Sequence, residues 1–219
     1  MKNLKNNFAI VPIVLSVLSV FIACKKDKVA PAPFDITKYV MVGKTVSNHL
    51  TTSDNYQYLL PFITTFETNN TSKTFMLGND WNHTFTYKDA VLTLSNTRYI
   101  IDENNLTAYA ENRPSEVFQL VIIPPNNLFN GNSYFGYRRV IPNGLVFYAA
   151  TLKFSEYQFG EHLNDPFVNT HYTLIKNIAG VYKSQDEIQF WVHINDRLEV
   201  SKGSYTNGSV LTGTFNKTK

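Results

Sequence analysis

The side chains that could do acid–base, nucleophilic or metal chemistry are few and scattered. The histidines are His49, His83, His162, His171 and His193. No two stand at the His-Glu-x-x-His spacing that puts two imidazoles on one helix face. With one cysteine, Cys24, a thiolate zinc site cannot be assembled. Gly203-Ser204-Tyr205 lacks the second glycine of a nucleophile elbow and lies in a predicted strand. Asp102-Glu103-Asn104-Asn105 concentrates oxygen donors, but without the spaced ligands and glycine of a calcium loop it reads as a solvated turn. Glu161-His162 and His171 flank a polar stretch and could approach each other, but the two histidines read as loop surface. Paired acids for glycoside hydrolysis stay open, since any two carboxylates can meet in space. The sequence thus assigns no catalytic residue, no cofactor and no metal ligand.

One constellation stands out. Strand alternation over Ile188–Ile194 puts Ile188, Phe190, Val192 and Ile194 on one face and Gln189, Trp191 and His193 on the other. Amide, indole and imidazole together make either a wet outer surface or the wall of a ligand pocket, where a few oriented polar groups sit beside an apolar ring. These three residues are the candidate ligand face.

The remaining chemistry is at the N-terminus. Lys2 and Lys5 precede an uncharged run over residues 8–23, which ends Phe21-Ile22-Ala23-Cys24 and is followed by Lys25-Lys26-Asp27-Lys28. A basic start, an apolar core and a small residue before a cleavage point make a secretory signal. The run is shorter than the ~20 residues of a spanning helix and contains Pro12. This segment resembles that of bacterial lipoproteins, whose signal ends in two apolar residues, a small residue and a cysteine. The resemblance covers about the first 28 residues. It implies cleavage after Ala23, diacylglycerol on the Cys24 sulfur and an acylated new amine, hence the lipid bilayer as a partner. It also implies a place in the cell envelope. No Asp follows Cys24, which points to the outer membrane of a Gram-negative bacterium. Two or more acyl chains suffice for stable anchoring.

Composition narrows the rest. Removing residues 1–23 leaves 196 residues, enough for one domain with a real core. The 43% hydrophobic and 14% aromatic fractions fit a packed globule. Lys2 and Lys5 leave with the signal, so the formal charge falls from +3 to about +1 and gives no nucleic-acid footprint. Arg138-Arg139 reads as a solvated pair. The near-neutral domain is expected to be a monomer.

The organisation reads as a signal peptide over 1–23, a lipidated cysteine and Pro/Ala tether over 24–33, and a single β-rich domain over 34–219. Tyr56–Phe66 is apolar and Thr-rich, and Pro61 marks an edge, a bend or a division into two short strands. Gly78–His83 reads as turn. Glu116–Ile123 is apolar nearly throughout and suits a strand covered on both faces. Pro142-Asn143-Gly144 joins two β-rich runs. Asn177–Glu187 is the best helix candidate. Ile188–Ile194, Arg197–Thr206 and Ser209–Phe215, joined at Asn195-Asp196 and Asn207-Gly208, form a three-strand antiparallel meander. The fold class is therefore all-β, an antiparallel up-and-down barrel or a β-sandwich. The pattern resembles the lipocalin-like barrels of secreted bacterial lipoproteins, with Gly43-Lys44-Thr45 where those carry Gly-x-Trp. That resemblance implies a ligand pocket. The functional expectation is a tethered, non-enzymatic binding or accessory module for a small apolar or glycan ligand. The alternatives are an envelope hydrolase with non-contiguous acids and an assembly subunit that binds another envelope protein.

Cys24→Ser is expected to abolish incorporation of labelled palmitate and to leave the protein uncleaved or mislocalised on cell fractionation. Equal label in both proteins would refute the anchor.

Overall fold

Period-two alternation, Thr- and aromatic-rich runs and frequent two-residue turns favour pleated strands over helices throughout the domain. The computed structural model describes residues 33–50, 55–141, 147–161, 170–204 and 209–218, with backbone alone at 47–50, 55–57, 141 and 147. Among these residues there are sixteen strands, one short 3₁₀ turn at Ile36–Lys38 and no α-helix. The all-β reading holds.

The first eight strands are β1 (Tyr39–Leu50), β2 (Asn55–Phe66), β3 (Thr71–Met76), β4 (Asn79–Lys88), β5 (Val91–Leu94), β6 (Thr97–Asp102), β7 (Thr107–Ala110) and β8 (Arg113–Ile122). Each pairs antiparallel with the next, and β8 returns to β1, which closes an up-and-down barrel. The turns carry the φ > 0 that tight hairpins need. Asp89 and Ala90 between β4 and β5 have φ 52 and 60°. Gly78 between β3 and β4 has φ 80°, so the predicted turn at Gly78–His83 is confined to Gly78, and Asn79–His83 begin β4. Pro61 faces Lys44 of β1 and lies just before the first β2–β3 pair, Phe62–Met76, so its missing N–H interrupts no ladder on that side.

The barrel interior is filled rather than hollow. Met41, Phe62, Phe66, Phe85, Leu92, Leu94, Ile101, Ala108, Phe118 and Leu120 are all buried. Phe118 meets Phe62 edge-on at 5.2 Å, as Phe66 meets Phe85. The ligand pocket that the lipocalin-like resemblance implies is thus not in the described lumen. The strand predicted to be covered on both faces is covered on one: along β8, Phe118 and Leu120 are buried while Val117 and Ile122 are exposed.

The other eight strands are β9 (Ser133–Ile141), β10 (Phe147–Phe154), β11 (Phe159–Gly160), β12 (Thr173–Ile175), β13 (Ala179–Lys183), β14 (Glu187–Ile194), β15 (Arg197–Ser204) and β16 (Val210–Lys217). They form one sheet in the order β11-β10-β9-β16-β15-β14-β13-β12. The sheet curls until its two edges touch, where Gln158 bridges His171. The Tyr172 N–H donates to the Tyr157 carbonyl at 3.0 Å across the same closure. The predicted meander is β14-β15-β16. Its first turn, Asn195-Asp196, has φ 52 and 61°, both left-handed as a type I′ turn requires. The Asn207-Gly208 and Pro142-Asn143-Gly144 turns lie outside the described residues.

The helix candidate is strand instead. Lys176 and Asn177 turn at φ 47 and 61°, and Ala179–Lys183 pairs with β14. A Cβ at Gly180 would sit 3.0 Å from the Tyr172 ring, so this ring covers the strand's backbone directly.

Barrel and curled sheet share a core. Val40, Val42, Leu60 and Ile63 of the barrel pack with Ile175, Ile178, Ile188, Phe190 and Val192 of the sheet. Phe190→Ala should therefore lower stability by about 3–5 kcal/mol, read as a fall in the urea midpoint. Tyr137→Ala, on the exposed side of β9, should stay within about 0.5 kcal/mol. Similar midpoints for the two variants would mean that the seam is not a core.

Candidate functional site

Gln189, Trp191 and His193 do share one face of β14, as the alternation predicts. That face is the concave inside of the curled sheet, and it is covered. Ile188–Val192 are buried without interruption, so β14 is an interior strand on both sides.

Trp191 lies wholly inside an aromatic cluster. Its ring centroid is 4.8 Å from Phe159, 5.6 Å from Phe154 and 5.9 Å from Tyr172. Its Nε1–H has no acceptor among the described residues. His193 sits against the Phe129 ring at 5.3 Å, and its Nε2 shares a 2.8 Å hydrogen bond with the Tyr134 hydroxyl. Burial, with a smaller push from Lys217, takes the imidazole down to about 4, so it is neutral at pH 7. Burial likewise drives the Tyr134 phenol up to about 12.

Gln189 belongs to a different environment at the other end of the same face. Arg138 of β9 reaches Glu161 with two guanidinium nitrogens at 3.3 Å, and donates to the Gln189 Oε1 at 3.4 Å. Lys202 of β15 lies 3.1 Å from Glu161 and 2.6 Å from Glu187. Gln189 donates to Glu187 at 2.8 Å and also to Glu161. Burial would raise the Glu161 carboxyl, but Arg138 and then Lys202 outweigh it and hold the group down at about 2. Arg138 is thus a buried ion-pair partner, whereas the sequence placed the Arg138-Arg139 pair in solvent. Its partners come from separate strands and from the segment after β11, so no contiguous motif announces the network.

Other expected groups are placed apart from this face. His171 is exposed, 3.3 Å from the Gln158 amide nitrogen. His162 lies outside the described residues, as do Cys24 and the side chain of His49. Asp102 accepts from the side chain and backbone of Asn105 at 2.7 and 3.0 Å, which holds its carboxyl below the usual range. The described residues contain no cluster of metal-ligating side chains.

Open space lies beside the barrel instead. A cleft of about 920 Å³ is lined by β2–β4 and by β12 with the turn that follows it. Thr65, Thr71, Asn82, Thr84 and Thr173 supply hydroxyl and amide groups, with Phe75 and Leu174 between them. The Glu67–Lys176 ion pair, 2.8 Å, joins its two walls. Lys73 is paired with Asp80 and lies 4.9 Å over the Phe75 ring. His83 shares a 3.0 Å hydrogen bond with the Ser95 hydroxyl. A second cleft, about 630 Å³, lies between β8, β1 and the β14–β15 turn. No protein family, curated protein or solved structure matches this chain.

The buried imidazole has a pH signature. The unfolded chain protonates His193 near pH 6.5 and the folded one near pH 4, so acidification between these values favours unfolding, by up to about 3 kcal/mol. Above pH 6.5 the effect vanishes. Urea midpoints from pH 7 to 4.5 should fall more steeply for the wild type than for His193→Gln. Equal slopes would mean that His193 is not buried as a neutral ring.

Proposed function

We propose that this chain is a lipid-anchored envelope protein whose β domain binds a small neutral glycan without turning it over. The observation that carries the reading is the 920 Å³ cleft beside the barrel. Its volume falls in the ~300–1,000 Å³ range of small-molecule sites, and its position between two packed sheets is a common one for them. Its lining suits a sugar, which carries both hydroxyl groups and apolar ring faces, because Thr71, Asn82, Thr84 and Thr173 stand beside Phe75, Leu174 and Ile175. Its charges favour a neutral ligand, because Glu67 and Lys176 compensate each other, as do Lys73 and Asp80. Carboxylates held in ion pairs support binding over hydrolysis. The anchor at Cys24 is supported by the Phe21-Ile22-Ala23-Cys24 run, and an outer-membrane location by Lys25 standing where an Asp would follow the cysteine of a retained lipoprotein.

The test is a neutral-glycan array probed with the full chain in detergent micelles, followed by calorimetry on the best binder. Thr84 and Thr173 are exposed on opposite walls, so Thr84→Arg and Thr173→Arg fill the cleft without touching the core. Each is expected to weaken binding at least tenfold, about 1.4 kcal/mol. Binding unaffected by both would remove the site from this cleft. Recovery of shortened glycan would replace the binding reading with the hydrolase one.

A further inference from the structure

β1 and β8 separate before either strand ends. Their ladder runs from Tyr39–Ile122 to Val42–Gln119, although β1 continues to Leu50 and β8 starts at Arg113. The same register, if continued, would set Lys44 against Val117. Instead the 630 Å³ cleft opens there, with Ile194, Asn195 and Arg197 on its far wall. Beyond Gly43, β1 pairs only with β2 among the described residues, so its other edge presents backbone N–H and C=O groups without a strand partner.

Three further features coincide at this edge. Val46, Leu59 and Val117 are 46, 52 and 59% exposed around it. Lys44 and Glu199 neutralise each other at 2.8 Å, and the Thr214 hydroxyl also donates to Glu199. That leaves the exposed Arg197 without an ion-pair partner among the described residues. The cleft therefore lacks a strand, an apolar cover and an anion. An extended peptide supplies all three at once; a glycan leaves the apolar residues exposed, and an acyl chain leaves the polar ones unmet.

We propose that an extended peptide segment of a partner protein adds as a strand to the free edge of β1. Alternate apolar side chains of the peptide lie beside Val117 and Ile194, and a carboxylate of the peptide pairs with Arg197. This site is separate from the glycan cleft and does not depend on it.

The probe is a displayed library of random nonapeptides with free C termini, selected on the full chain in detergent micelles. The expected winners alternate apolar and polar residues and carry an acid. Their binding should slow amide exchange at Lys44–Val46. Val117→Lys and Arg197→Glu, both at exposed positions, should each weaken binding at least tenfold, while Thr84→Arg in the other cleft should leave it unchanged. Three results would overturn the proposal: no enrichment, affinity indifferent to both variants, or protection of a different strand. Binding of phosphatidylglycerol vesicles that Val117→Lys abolishes, with no peptide selected, would assign the edge to lipid and overturn it too.

Discussion

Burial of β14 on both faces is the constraint on which the rest of the domain depends. Its Ile188, Phe190 and Val192 face packs on the barrel through Val40, Val42, Leu60 and Ile63. Its opposite face forms the floor of the curled sheet, under Phe154, Phe159 and Tyr172. One strand thus belongs to two apolar clusters, and a change in its register would exchange the two sets of side chains. The type I′ geometry at Asn195-Asp196 fixes that register on the β15 side. The Asn195 side chain then ties the turn back to Gln119 of β8.

Filling both interiors with side chains moves the open space to the margins. The barrel is small enough for Phe62, Phe66, Phe85 and Phe118 to occupy its centre. The curled sheet is closed by the Gln158–His171 bridge and packed with aromatic rings. Among the described residues, the larger clefts lie beside the barrel, where walls from distant parts of the chain face each other. The 920 and 630 Å³ clefts differ in chemistry. One sets hydroxyl groups and compensated charges among apolar side chains, the other sets polar side chains and an unpaired strand edge beside Leu59 and Val117.

The buried polar groups follow the same logic. A carboxylate as covered as Glu161 stays ionised only because Arg138 and Lys202 converge on it. Removing one cation would leave an uncompensated buried charge, which is more costly than never having buried the set. At the other end of the same face, His193 meets no such partner. Burial makes it neutral, so it packs as a polar ring among aromatic ones.

The sequence by itself determined what local rules govern. Alternation over Ile188–Ile194 placed Gln189, Trp191 and His193 on one face, and Asn195-Asp196 marked a turn, because strand period and turn chemistry act over a few residues. The all-β class followed from the same signals summed along the chain. Tertiary structure alone decided which faces are covered. The Val117 run looks like a two-sided buried strand yet is exposed on one side, whereas the β14 face that reads as half-polar is interior. Period-two patterning reports which residues share a face; what lies against that face comes from strands far away in the chain. The same holds for Arg138, Glu161 and Lys202, which are separated in sequence and become one network only when the sheet curls.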